Sequence, residues 1–403
     1  MKPLQHPITT TQMPRLKIVV AEDSELQRLY LCSLINGLGY HAIEAEDGQL
    51  ALDLVISTGA QIVISDLQMP NLNGIELTRK IRELDLGYYI HIIALTGSDE
   101  VETRVQALGA GADDFITKDS NTEILKARLR TATRLVNYAA ELAEHTHILR
   151  EANARIEDDL RSAAAAQRQL LPKLQNDIMG FGVASAFVPS SIVSGDMYGC
   201  FPVTEDTFAF YAVDVSGHGV HASLLSVAIG YLVTPDYVRT HAFDGEGKAD
   251  PAAMVAALND RFSASENDDY FTMFCAMIDI TSGQMTFCQA GYPSPLYVAP
   301  CGETQTIGDG GFPVGIIPTA SFENAAQPFE LGASLIVCSD AATEAEDLAC
   351  HPFGNARVRE IAQTSHDIGT RNIPSEMIRA LTTWRNDVPL EDDLTIVTLE
   401  RKN

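Results

Sequence analysis

Short apolar runs alternate with amphipathic stretches through the first third of the chain. Residues Lys17–Ala21, 41–44, 62–65, 90–95 and 114–116 read as short β-branched strands. Residues 26–38, 50–56, 74–84 and 100–108 carry helical periodicity between them. Strands that each lead into a helix predict a five-stranded, parallel, doubly wound sheet over residues 16–134.

The middle of the chain changes period. Leu135, Leu142, Leu149, Ile156, Ala163 and Leu170 fall seven residues apart, and no proline stands between Pro70 and Pro172. Good helix formers dominate this stretch. A sustained period of seven predicts a coiled-coil helix, because 3.5-residue spacing keeps one stripe facing a partner. A helix over 122–171 would be about 75 Å long, at ~1.5 Å per residue. The second seam positions, Tyr138, His145, Ala152 and Asp159, are mixed in character. The pattern therefore predicts a weak, adjustable seam in a linker over 135–171.

After Pro172 the texture turns to strands and tight turns. Residues 183–188, 193–201, 207–215, 270–280, 284–290, 296–299, 334–339 and 394–399 read as strands, and Thr281-Ser282-Gly283 as a hairpin turn. Helical patterns occupy 221–233, 251–264, 356–363 and 374–386. Strand runs with segregated helices predict an α+β layered sandwich over 172–403.

Composition narrows the partners. The 403 residues hold 54 acidic and 28 basic side chains, a formal charge of −26. That argues against nucleic acid and against an anionic membrane surface, both of which call for Lys/Arg clusters. No apolar run reaches the ~18 residues of a membrane span. Residues 1–15 lack a hydrophobic signal-peptide core and are expected to be a disordered leader. Cys32, Cys200, Cys275, Cys288, Cys301, Cys338 and Cys350 form no Cys-x-x-Cys pair. They are expected to be reduced core residues of a cytoplasmic protein.

Chemistry concentrates at strand ends. In the first third, Glu22 and Asp23 end the first strand, Asp66 the third and Thr96 the fourth, while Lys118 follows the fifth. Parallel sheets place their sites at those carboxyl ends. Three carboxylates in one crevice repel unless a hard divalent cation joins them, which suits Mg²⁺. A carboxylate held there could also accept a phosphoryl group. Any one of these aspartates alone would more often be a helix cap.

Glu22-Asp23, the run Asp66-Leu-Gln-Met-Pro-Asn-Leu-Asn-Gly74, Leu95-Thr96-Gly97 and Lys118 together resemble the receiver domain of two-component response regulators. The resemblance implies Asp66 as the phosphorylation site, one Mg²⁺ held by Glu22, Asp23, Asp66 and the Gln68 carbonyl, and Thr96 with Phe115 as the switch pair. It also implies a histidine kinase as partner. Asp119 departs from the proline usual after the lysine and is expected to loosen that loop.

In the last half, Asp196, Asp214, Asp340 and the Asp392-Asp393 pair stand at the ends of otherwise apolar strands. Buried unpaired carboxylates are costly. With no evident Lys/Arg partner they call for cations, and all-oxygen ligation favours Mg²⁺ or Mn²⁺ over zinc. Read singly, each is as readily a turn or cap residue.

In order come Gly195-Asp196, Asp214-Val-Ser-Gly-His-Gly219, Ala290-Gly-Tyr-Pro293, Gly311-Phe-Pro-Val-Gly315, Ser339-Asp-Ala-Ala-Thr-Glu344 and Asp392-Asp-Leu-Thr395. This series resembles the bacterial stress- and sporulation-type serine/threonine phosphatases of the metal-dependent PPM family. The resemblance implies two Mn²⁺ or Mg²⁺ ions, with Asp214 bridging and Asp196, Asp340, Asp392 and the Val215 carbonyl as further ligands. Asp393 is a further candidate ligand. Attack would come from metal-bound water without a covalent enzyme intermediate. His218 is read as fixing its glycine turn, with a general-acid role as the alternative.

Ser194, Ala341 and Tyr292 replace a glycine, a glycine and a histidine of the family pattern. An added Cβ at Ala341 would crowd a positive-φ conformation if that position uses one. Gln167-Arg-Gln-Leu-Leu-Pro172 resembles the regulatory element that enters these phosphatase domains at a dimer interface.

The expected whole is a homodimeric response regulator whose output dephosphorylates a STAS-type anti-anti-sigma protein in partner switching. The alternative is a degenerate phosphatase domain acting as an adaptor or sigma/anti-sigma binding module.

Overall fold

The computed structural model describes residues 15–97, 101–172, 177–217, 219–263, 269–366 and 369–402. Of the expected leader only Arg15 falls among them, and His218 lies outside them. The chain divides after Asn153 into two compact units.

The first unit alternates β1 (Lys17–Ala21), α1 (Glu25–Gly37), β2 (His41–Ala45), α2 (Gly48–Thr58), β3 (Ile62–Asp66), α3 (Gly74–Glu83), β4 (His91–Thr96), α4 (Val101–Gly109) and β5 (Asp114–Thr117), ending in α5 (Thr122–Leu170). Its sheet is parallel, in the order β2-β1-β3-β4-β5. Strand side chains alternate between two cores. Val19, Val63 and Ile92 face α2 and α3 residues such as Val55 and Leu77. Ile18, Val20, Ile64 and Ile93 face Ile35 of α1 and Leu125, Leu129, Ala132 and Val136 of α5.

α5 thus presents different faces along its length. Leu125, Leu129, Ala132 and Val136 are buried at helical spacing. Near its other end Ala164 and Gln167 are buried, and Leu170 packs into the core of the second unit. Between these contacts the period-seven positions Leu135, Leu142, Leu149 and Ile156 are 44, 68, 63 and 57% exposed.

The second unit is a four-layer sandwich. In chain order it contains β6 (Phe181–Val188), β7 (Asp196–Pro202), β8 (Thr207–Val215), α6 (Val220–Leu232), α7 (Pro235–His241), α8 (Pro251–Phe262), β9 (Phe271–Asp279), β10 (Gln284–Ala290), β11 (Leu296–Val298), β12 (Thr304–Thr306), β13 (Ala325–Pro328), β14 (Ser334–Cys338), α9 (Ala341–Glu344), α10 (Gly354–His366), α11 (Ile373–Trp384) and β15 (Leu394–Arg401). One antiparallel sheet runs β13-β10-β9-β8-β7, the other β12-β11-β14-β15-β6. Their facing surfaces enclose a core of Phe181, Phe208, Phe210, Phe274, Tyr292 and Val397. Phe181 stacks on Phe208 with ring centroids 4.9 Å apart. The outer face of the first sheet packs against α6 to α8, and that of the second against α9 to α11.

Some local expectations change. The strand expected from Val193 begins at Asp196, because the Ser194 amide and carbonyl bond to the Gln167 side chain instead of a ladder. α7, capped by Thr234 and opened by Pro235, had no period long enough to be read. Five cysteines are buried as expected, but Cys301 and Cys350 are exposed. Cys350 lies in a turn at φ +61°. Ala341 opens α9 and is not among the positive-φ residues, so its Cβ does not crowd the turn.

Candidate functional site

The first unit gathers its polar residues at the carboxyl ends of β1, β3 and β5. Glu22 is fully buried, Asp66 nearly so, and Asp23 is exposed; one ligand oxygen from each lies within 4.8 Å of the others. Lys118 closes the cluster, its ammonium 2.7 Å from Asp66 Oδ2 and 2.9 Å from Glu22 Oε2. It also donates to Gln27 Oε1 at 3.1 Å, a partner that no spacing in the sequence indicated. Burial holds the Glu22 carboxyl above its usual range, against the opposing hydrogen bond from Lys118. For Lys118, burial opposes the charge, but the bonds to Asp66 and Glu22 outweigh it and hold the ammonium pKa above normal.

Local rules put Asp66 there. The loop after β3 ends in a capping box, with Asn73 Oδ1 accepting from Glu76 N and Glu76 returning to Asn73 N. A Cβ on Gly74 would stand 2.1 Å from the Asp66 carbonyl oxygen, so only glycine fits. Gln68 lies in this loop and is exposed. Thr96 is buried with no partner for its hydroxyl, and the Arg104 guanidinium sits 4.9 Å from the Phe115 ring centre. The turn at Asp119 is closed rather than loosened: Ser120 N donates to the Thr117 carbonyl at 2.8 Å, and the two hydroxyls bond at 2.7 Å.

The carboxylates of the second unit come from both sheets. β7 and β8 pair in a register that sets Asp196 directly opposite Asp214. The same register sets Tyr198 opposite Ala212 and Cys200 opposite Phe210, all facing the inter-sheet core. The two aspartates therefore continue an apolar inward row to its rim. Asp340 follows β14, and Asp392 precedes β15.

Asp196 is 0% exposed and neither of its oxygens has a hydrogen-bond partner. The Ser339 and Thr395 hydroxyls are near enough to favour its charge, yet neither completes a bond. Burial first, then Asp214, pushes the Asp196 carboxyl up. Burial and the charges of Asp340, Asp392, Asp393 and Glu344 push that of Asp214 up to about 8. Burial, then Asp392 and Glu344, raise that of Asp340.

No Lys or Arg pairs with these four among the described residues. Among the described residues only Glu22, Asp23 and Asp66 bring three ligand atoms within 4.8 Å of one another, so these four stand further apart; the orphaned Asp196 oxygens and the carboxylate-only donor set still fit hard divalent cations. Beside Asp340 and Asp392 opens a cavity of about 330 Å³, lined by Glu344, Glu346, Glu391 and Arg385. The Arg385 guanidinium is spent on the Glu346, Val388 and Pro389 carbonyls and on Glu391.

Asp393 departs from the ligand expectation. Its Oδ1 accepts from Ser190 N (2.7 Å) and Ser190 Oγ (2.9 Å), and its Oδ2 accepts from Gly195 N (2.6 Å). Both oxygens are committed to holding the turn before Asp196. Val215 closes β8 beside Asp214, and Gly217 and Gly219 both take φ +84°, the tight turn expected before α6.

Gln167 links α5 to this site, a contact that no sequence signal specified. Its Nε2 donates to the Ser194 carbonyl (2.6 Å) and to Ser226 Oγ (2.9 Å), and its Oε1 accepts from Ser194 N (3.2 Å). Ser194 in turn offers its hydroxyl oxygen to Asp196 N at 3.1 Å. The serine that replaces a glycine thus braces the Asp196 backbone.

Comparison with known proteins agrees with both halves. Residues 18–130 match the response regulator receiver domain family, and residues 204–402 match the family of stage II sporulation protein E (SpoIIE). The chain thus joins a segment that matches the receiver family to one that matches the SpoIIE family. The receiver is 38% identical over 119 residues to response regulator MprA of Mycolicibacterium vanbaalenii, covering 30% of this chain and 51% of that protein. It is 32% identical over 117 residues to the phosphate regulon regulator PhoB of Pseudomonas aeruginosa, covering 29% and 51%. The chain thus spans about half the length of these curated relatives. The second unit shares its fold with the SiaA-PP2C domain of Pseudomonas aeruginosa, with a TM-score of 0.52 and 20% identity over 62% of this chain and 98% of that one. Among the described residues, no helix is long and apolar enough to cross a membrane.

Proposed function

We propose that this chain is a two-component response regulator in which a histidine kinase phosphorylates Asp66, and that this phosphorylation controls a metal-dependent serine/threonine protein phosphatase. The observation that carries the reading is Asp196 set opposite Asp214, buried and with both oxygens unpartnered. Such a pair costs stability for no structural return unless it serves cations.

In this reading Asp196, Asp214, Asp340, Asp392 and the Val215 carbonyl hold two Mn²⁺ or Mg²⁺ ions, while Glu22, Asp23, Asp66 and the Gln68 carbonyl hold one Mg²⁺ in the receiver. Bound ions supply Lewis-acid activation at the phosphoryl group. The protein's own part is orientation. Asp393 fixes the Ser190–Gly195 turn, Ser194 fixes Asp196 N, and Lys118 offers its ammonium to a charge developing at Asp66. The substrate we assign is the phosphoserine of a STAS-type anti-anti-sigma protein.

The exposed seam Leu135, Leu142, Leu149 and Ile156 supports a parallel homodimer through α5, whose small shifts would reach Ser194 through Gln167.

Purified protein with Mn²⁺ is expected to hydrolyse a phosphorylated STAS protein, with a rate that beryllofluoride changes. A rate unaltered in Asp214→Asn would end the phosphatase reading. A monomer at micromolar concentration by sedimentation, with and without beryllofluoride, would end the dimer.

A further inference from the structure

Tyr292 is a buried polar side chain that the fold does not use. It follows β10, and its main chain is pinned: Gln289 Nε2 donates to the Tyr292 carbonyl at 2.6 Å, and Gly291 N donates to the Gly310 carbonyl at 3.3 Å. The ring is 1% exposed in the inter-sheet core with Tyr198, Ala212, Phe274 and Val337. Tyr198 and Ala212 are the neighbours, two residues inward, of Asp196 and Asp214 on their strands. Gly291 bridges Met273, which pairs with Val213 beside Asp214, so Tyr292 follows at the level of the sandwich where the apolar row gives way to carboxylates.

Its hydroxyl is buried and has no hydrogen-bond partner, and neither Asp196 oxygen has one. An orphan donor and two orphan acceptors buried near the same strand ends complement each other. The charges acting on the phenol are, strongest first, those of Asp196 and Asp214, with Asp340 further down. Of the other nearby hydroxyls, that of Ser339 already joins the Asp393 carbonyl and Thr395 N, while that of Thr395 is buried and unpartnered as well.

We propose that the Tyr292 hydroxyl is a positioning donor for the metal site, giving its hydrogen bond to the Asp196 carboxylate when a divalent cation is held there. A carboxylate that ligates a cation with one oxygen is oriented by a donor on the other, and such outer partners tune affinity. A phenol is protonated at neutral pH and burial favours that neutral form, so it is a donor there. The tyrosine thus keeps a ring-borne donor where the family pattern has histidine, without imidazole's titration near neutrality.

The inference rests on the metal-dependent reading above, and calorimetric titration of the full-length protein with Mn²⁺ separates the two. If wild type binds no Mn²⁺, the metal reading itself fails. If wild type binds, Tyr292→Phe is expected to weaken Mn²⁺ about tenfold, since it removes only the hydroxyl. Its metal-free melting temperature is expected to match or exceed wild type, because an unpartnered buried hydroxyl is gone. Equal Mn²⁺ affinity in Tyr292→Phe and wild type would overturn the proposal. Tyr292→His restores a ring N–H and is expected to bind Mn²⁺ more tightly than Tyr292→Phe; the reverse order would overturn the proposal whatever the stabilities.

Discussion

Both domains gather carboxylates at strand ends, yet they balance the charge differently. The receiver carries its own cation: Lys118 reaches Glu22 and Asp66 within 3 Å. The cluster of the second unit has no basic partner among the described residues, and the carboxyls of Asp196, Asp214 and Asp340 are pushed up instead, to about 8 at Asp214. A site with an internal ammonium can exist with or without a divalent ion and respond to one added phosphoryl group. A site of carboxylates alone is repulsive until cations arrive, so its geometry and its metal content are one variable. The first arrangement suits a switch, the second a metal-dependent catalyst.

The contrast can be broken at several points. The largest expected effect is on catalysis: Asp214→Asn should lower Mn²⁺-dependent phosphatase turnover by about a thousandfold, the several kcal/mol that metal activation supplies. The same variant should melt higher than wild type without metal, because a repelled buried carboxylate is neutralised. A lower melting temperature would show that the folded protein compensates the Asp214 charge without metal.

Lys118→Ala should show the opposite sign in the receiver. Removing the cation leaves Glu22 and Asp66 facing each other and should cost about 1–3 kcal/mol of stability, less than a fully buried pair because the lysine is 25% exposed. Mg²⁺ should restore part of this loss in a thermal melt. No destabilisation would remove the distinction between the two sites.

Gln167→Ala deletes three buried hydrogen bonds at the Ser194 turn and should cost about 2 kcal/mol. Asp196 loses its brace with them, so Mn²⁺ affinity by calorimetry should fall while the receiver's phosphorylation is unaffected.

The contrast also sets a pH dependence. The folded-state pKa of Asp214 lies above its ordinary value of 3.8, so the folded metal-free protein binds the proton more tightly than the unfolded chain. The stability this contributes is fully present below pH ~4 and is lost as pH rises towards 8. Metal-free wild type should therefore melt progressively lower across that window, and Asp214→Asn should flatten this component.

Much of the molecule was legible from pattern. The receiver strands were placed within a residue or two of their ends, because buried parallel strands are continuous apolar runs. Asp66, Lys118, Asp196 and Asp214 stood out because a carboxylate or ammonium ending such a run needs a reason. Asp393 was not separable from Asp392 by sequence: adjacent strand-end aspartates look alike until hydrogen bonds distinguish the one committed to Ser190 and Gly195. α7 and the short β12 and β13 were missed because three to seven residues do not complete a period.

The sequence by itself determined the two domains, the long helix between their cores and the residue types at each strand end. These follow from local periodicity and from where polar groups interrupt it. Only the tertiary structure decided that Asp196 faces Asp214, that Gln167 grips Ser194, that the Tyr292 hydroxyl is left unpartnered, and that the α5 seam stays exposed between two packed ends. Those facts depend on strand register and on contacts between residues far apart in sequence. Packing of the whole core sets both, and no window along the chain contains them.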